Sequence, residues 1–116
     1  MQPNSPKYLY DIQRAAGRLG RFVQGLTFEQ FSQNEMVRSA VERQFEIIGE
    51  AISQLFKNDP DSASRITEYR QIIGVRNIII HAYSQVNERT LWEILNTRLA
   101  ILQREVQALL DEADKS

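Results

Sequence analysis

Between Met36 and Phe56 the chain places Met36, Val37, Ala40, Val41, Ile47, Ile48, Ala51, Ile52, Leu55 and Phe56 at steps of three and four. An α-helix gathers residues so spaced onto one side, and the broad apolar face it makes needs a partner. The spacing predicts a helix that opens at Gln33 or Asn34 and runs to about Lys57. Asn58-Asp59-Pro60-Asp61 stops it, because proline cannot continue a helix and the acids favour turns. A long helix with such a face commits the rest of the chain to covering it.

The other segments are built to do so. Tyr8, Ile12, Ala15, Ala16, Leu19, Phe22 and Val23 predict a first helix from Lys7 to about Gln24, ended by Gly25. Gly17 and Gly20 weaken it but admit close packing. Residues 1–6, with Pro3 and Pro6, are expected as an extended lead-in. Thr27 caps a short helix, Phe28 to Ser32, with Glu29 and Gln30 in its first turn. A third long helix is expected over Ile66 to Tyr83. A fourth starts at Asn87 or Thr90 and continues to about Ala113 on Leu91, Trp92, Ile94, Leu95, Leu99, Leu102, Val106, Leu109 and Leu110. Residues 112–116 are charged and expected to fray. The fold class is therefore all-α: an antiparallel up-and-down bundle of four long helices plus a short one, in a single domain over 1–116.

At 116 residues the chain suits one domain, and 25% charged residues with 42% hydrophobic ones is ordinary for a globular protein. It has no cysteine, which removes disulfides and thiolate chemistry. A single histidine argues against a histidine-rich metal site within one subunit, so no metal or other cofactor is expected. There is no Gly-rich phosphate loop, no His-x-x-x-His pair and no Ser-centred nucleophile elbow. No apolar run is long enough for a membrane span, and the start lacks a signal-peptide core, so a cytoplasmic location is expected. A net charge of −1 does not favour strong nonspecific binding to nucleic acid, yet leaves room for a local basic cleft.

One stretch carries chemistry: Arg76-Asn77-Ile78-Ile79-Ile80-His81-Ala82-Tyr83. It holds the only histidine, with a permanently charged guanidinium before it and a phenol after it. Its bland reading is a core segment with polar ends. In the third predicted helix, Arg76 and His81 lie roughly 140° apart around the axis, whereas Asn77 and His81 share a face and Arg76 and Tyr83 nearly eclipse. A regular helix therefore does not bring Arg76 and His81 together within one chain unless the arginine stem wraps around or the helix distorts near its end. A two-fold dimer offers another solution, with both residues of both chains around one cleft.

The sequence resembles the HEPN superfamily, in its HepT-like branch. Arg76, Asn77 and His81 match the HEPN motif, and Tyr83 extends it to the Arg-x-x-x-x-His-x-Tyr form of that branch. Val41-Glu42-Arg43-Gln44-Phe45-Glu46-Ile47-Ile48-Gly49-Glu50-Ala51, Ile72-Ile73-Gly74-Val75 and Leu91-Trp92 agree with the same frame. The resemblance implies the toxin of a toxin–antitoxin pair: a metal-independent RNA endonuclease, acting as a homodimer with a composite active site at the interface. It also implies a minimal nucleotidyltransferase antitoxin that silences it by transferring AMP to Tyr83. Arg76 and His81 are then catalytic, with Asn77 and Glu50 in support.

Other residues have two readings. Arg14, Arg18 and Arg21 form one stripe on the first helix, either a solvated face or a phosphate track that extends the cleft. Glu50 can orient Arg76 or cap a helix end, and Arg43 with Glu46, or Glu46 with Glu50, can be intrahelical neighbours. Phe45 and Trp92 are expected as core or interface anchors. The alternative functional class is a non-catalytic partner that presents nucleotide or substrate to a nucleotidyltransferase, because Arg and His also bind phosphates without cutting them. A purely structural dimerisation bundle is the third.

Overall fold

The computed structural model describes residues 1–67, 70–72, 74 and 87–115. Among the described residues the regular structure is entirely helical: α1 Ser5–Val23, α2 Phe28–Gln33, α3 Glu35–Asn58, α4 Pro60–Ala63, α5 Glu88–Thr97 and α6 Leu99–Lys115. The all-α bundle expected from the periodicity is what forms. Most of the third long helix expected over Ile66 to Tyr83 falls outside the described residues, although Arg70, Gln71, Ile72 and Gly74 are helical.

Helices α1 and α3 make the central pair. Ser5 meets Asp59 at one end and Arg18 meets Gln44 further along, so the two run antiparallel. Leu9, Ile12, Ala15, Ala16 and Leu19 of α1 are fully buried, as are Val41, Ile52 and Leu55 of α3. Helix α6 packs on the other side of α1, where the Gln13 amide donates to the Gln103 carbonyl at 3.2 Å and to Gln107 Oε1 at 3.1 Å. Leu102, Val106, Leu109 and Leu110 close the core from that side. Phe45 is a core residue, and Trp92 packs partly buried against Phe31, with ring centroids 5.3 Å apart, and edge-on to Phe28 at 6.2 Å. The Arg89 guanidinium lies over the outer face of Phe28, 3.6 Å from the ring centroid, so α2 is held between α3 and α5.

The helix ends follow local chemistry. Gly25 adopts φ 77°, a left-handed turn that glycine takes without strain, just past α1. Thr27 Oγ accepts the Gln30 N–H while the Gln30 side chain accepts the Thr27 N–H, a reciprocal capping box. Asn34 caps α3, and Asn87 caps α5 by accepting the N–H groups of Arg89 and Thr90. Between the two starts expected for the last helix, Asn87 is therefore the one used.

Four expectations change. The lead-in expected over 1–6 already contains the first two residues of α1, because Pro6 suits a helix N-terminus and the buried Ser5 hydroxyl is anchored on Asp59. The proline that ends α3 also begins α4, whose first turn Asp59 caps through the Ser62 N–H. The last helix is broken at Arg98, whose φ is −112°. Hydrogen bonds from Arg98 N–H to the Ile94 carbonyl and from Leu102 N–H to the Arg98 carbonyl cross the break, so α5 and α6 stay nearly continuous. Helix α6 then runs to Lys115, through the expected frayed tail, with Glu112 gripped by both Arg65 guanidinium nitrogens at 2.6 and 2.9 Å.

Candidate functional site

Arg76, Asn77, His81 and Tyr83 lie outside the described residues. What the structure does show is how the chain is anchored on either side of them. Ile72 is 2% exposed and belongs to the core cluster, which fixes the approach. On the far side Asn87 caps α5, and Glu88 in the first turn is fastened to α2 and α3. The Ser32 hydroxyl donates to one Glu88 carboxylate oxygen, and Arg38 Nε lies 3.4 Å from the other. Arg38 also donates to the Ser32 carbonyl, so one guanidinium ties the end of α2 to the start of α5.

Glu42 stands one turn beyond Arg38 on α3. Burial pushes its carboxyl above the ordinary value of 4.5; Arg38 opposes this, and Glu46 and Glu88 add to it. A half-buried acid among three charged neighbours was not singled out from sequence. Arg38, Glu42 and Glu46 do repeat at intervals of four, but the contribution of Glu88 depends on the tertiary fold. A carboxylate whose folded pKa is raised opposes folding once pH climbs through its titration range. Glu42→Gln is therefore expected to raise the melting temperature at pH 7, with the gain vanishing below about pH 4, where the carboxyl is protonated in both states. Melting curves of the two proteins across that range check it.

Glu50 is exposed on α3 and accepts from the Gln54 amide at 3.1 Å. It lines a groove of about 510 Å³ between α1 and α3 together with Lys7, Asp11, Arg43 and Glu46. Arg43 and Glu46 pair at 3.1 Å, as their spacing suggested. The groove mixes both signs of charge.

The arginine stripe does form a single surface. Arg14, Arg18 and Arg21 line a shallow groove with Tyr10, Gln13 and Gly17. Among the described residues no group of three or more His, Cys, Asp and Glu side chains is arranged to hold a metal ion. No described helix is long and apolar enough to cross a membrane.

The family described as Ribonuclease HepT-like matches residues 12–109, nearly the whole bundle and both anchors of the motif segment. The chain belongs to the HepT-like family. A Methanocaldococcus jannaschii protein named "Putative RNase" is 34% identical over 86% of this chain and 91% of its own length. One of the same name from Caldanaerobacter subterraneus subsp. tengcongensis is 32% identical over 90% of this chain and 93% of its own. "Probable ribonuclease HepT" of Thermococcus cleftensis is 31% identical over 94% of this chain and 98% of its own. These relatives match over most of their own length and of this chain, so the likeness covers far more than an isolated motif. No solved structure matches the chain at a significant level.

Proposed function

We propose that this HepT-like protein is an endoribonuclease, the toxin of a toxin–antitoxin pair, acting without a metal in the cytoplasm. The observation that carries the reading is the coincidence of a family match over residues 12–109 with the Arg76, Asn77, His81 and Tyr83 motif inside it. In RNA each 2′-hydroxyl is a nucleophile already placed beside the next phosphate. Cleavage needs a base for that hydroxyl, an acid for the departing 5′-oxygen and positive charge for the crowded intermediate. A histidine side chain, with an unperturbed pKa of about 6.5, suits the proton transfers, and His81 is the only one the chain has. Arg76 is permanently charged and grips two phosphate oxygens at once. Asn77, four residues before His81, hydrogen-bonds the phosphate or steadies the imidazole, and Glu50 supports from α3.

The one histidine per chain argues for a homodimer. An isologous interface repeats each residue, so a shared cleft holds two histidines, the number that a separate acid and base require. Tyr83 is the proposed switch. Transfer of AMP from a nucleoside triphosphate to its phenol by a partner nucleotidyltransferase, with loss of the phenol proton and departure of pyrophosphate, adds bulk and a negative phosphodiester where an RNA phosphate would sit, and both effects exclude substrate.

Expression without a partner tests this reading. The wild-type chain is expected to arrest growth, His81→Ala to be harmless, and co-expression of the nucleotidyltransferase to relieve the arrest only when Tyr83 is present. Harmless expression of folded wild-type protein would instead favour the non-catalytic partner, which binds nucleotide for another enzyme.

A further inference from the structure

We propose that the outer face of α1 is a track for single-stranded RNA, an inference that rests on the ribonuclease reading and extends it to how substrate is held. Arg14, Arg18 and Arg21 lead phosphates along the groove, and the Tyr10 ring stacks under a base at its end.

Among the described residues, those that line this groove include three guanidiniums and no carboxylate, in a chain whose net charge is −1. The groove is therefore locally positive on a chain that is not. Arg14 touches Asp11 at the edge, but at 3.4 Å and in solvent, a pairing too weak to hold it from a ligand. Arg18 is steadied from below by a neutral group, the buried Gln44 amide oxygen at 3.4 Å. That contact orients the guanidinium without neutralising it. Among the described residues Arg21 has no ion pair; its guanidinium lies back over Gly17, where an added Cβ would stand 3.4 Å from its Nη1. Gly17 thus leaves the floor of the groove open beneath it.

The spacing fits a nucleic-acid strand. Arg14 and Arg21 are seven residues apart, about 10 Å along the helix axis. Stacked nucleotides advance about 3.4 Å each, so this span covers about three steps and spreads the three guanidiniums along that stretch of backbone. Tyr10, one turn before Arg14 on the same face, is 47% exposed. An exposed aromatic ring at the end of a cationic groove is the stacking surface that an unpaired base uses, and bases in a duplex are not available for it.

The test is binding of a fluorescent oligouridylate of about twelve nucleotides whose riboses are 2′-O-methylated, so that it cannot be cut by 2′-oxygen attack. For single strands the logarithm of affinity falls with the logarithm of salt at about 0.7 per phosphate neutralised. Arg14→Gln/Arg18→Gln/Arg21→Gln is expected to reduce that slope by about two and to raise Kd at least tenfold. Tyr10→Ala is expected to raise Kd about 5- to 100-fold with the slope unchanged. Gly17→Glu fills the floor with a carboxylate while improving helix propensity, so it is expected to fold at least as well as wild type and still lose tenfold or more in affinity. An unchanged slope in the triple variant together with unchanged affinity in Gly17→Glu overturns the track. So does a change in oligomeric state, seen by sedimentation, without a change in RNA binding, which would assign the face to a second copy of the chain. Cutting is followed separately on an all-ribose copy. RNA that binds along this face and is never cut leaves the track standing and removes the ribonuclease reading.

Discussion

His81→Ala is expected to slow RNA cleavage by about 10²- to 10⁴-fold, the usual worth of a positioned acid or base. Arg76→Ala is expected to fall at least as far, because the phosphorane then loses the permanent charge that grips its oxygens. The informative experiment mixes the two variants. On a regular helix these residues point roughly 140° apart, so a site made within one chain is geometrically awkward, and a site shared across a two-fold axis is not. In a random mixture half of the dimers contain one chain of each kind. Each such dimer keeps one Arg76 and one His81 on opposite chains. A cleft shared between the chains then recovers activity above that of either variant alone, though well below wild type, because its second histidine and second arginine are missing. No recovery, in a mixture where the mixed dimer is demonstrated, would mean that each site draws both residues from a single chain.

The second large effect is structural. Asp59→Ala is expected to cost about 3–4 kcal/mol, enough to lower the melting temperature by ten degrees or more in a domain of this size. Asp59 is 6% exposed and joins three parts of the fold. One carboxylate oxygen accepts from the Ser5 hydroxyl at 2.8 Å, the Ser62 hydroxyl at 2.7 Å and the Gln2 N–H at 3.2 Å; the other caps α4 through the Ser62 N–H. Burial alone would raise its pKa, but the hydrogen bonds from Ser62, Ser5 and Gln2 outweigh it and lower the value from 3.8 to about 2. The sign of the pH effect follows. A depressed folded pKa adds stability above the unfolded value, and that contribution disappears as pH falls from about 4 towards 2. The shift corresponds to about 2 kcal/mol. Wild type is expected to lose this increment across that window and Asp59→Ala to lack it, as read by denaturant unfolding at several pH values.

Asp59 also marks where sequence reasoning stops. Asn58-Asp59-Pro60-Asp61 is legible as a helix stop, since that depends on local backbone rules. Its partners Ser5 and Gln2 lie more than fifty residues away, and nothing local announces them. The same division runs through the whole chain. Periodic apolar residues and the caps at Thr27, Asn34 and Asn87 are local signals, and they locate α1, α2, α3 and α5 closely. The break at Arg98 has no such signal: the apolar pattern from Leu91 to Leu110 runs through it without a glycine or proline. At the site, the motif is readable because chemistry needs those side chains close together. The arginine stripe is readable from its spacing as well. Tyr10 and Gly17, which complete the groove, stand out only once the helix has packed and shown which face remains open. Glu42 is similar, because Glu88 reaches it from another helix.

The motif is proposed to cut RNA through the RNA's own 2′-hydroxyl without a metal. The direct measurement is cleavage of one oligonucleotide by the purified chain in the presence of a strong chelator, compared with a copy of the same sequence lacking the 2′-hydroxyls. Cleavage of the ribose form only, leaving 2′,3′-cyclic phosphate ends and lost in His81→Ala, is the predicted result. Cleavage of the deoxy copy, loss of activity in chelator, or full activity in His81→Ala would contradict it.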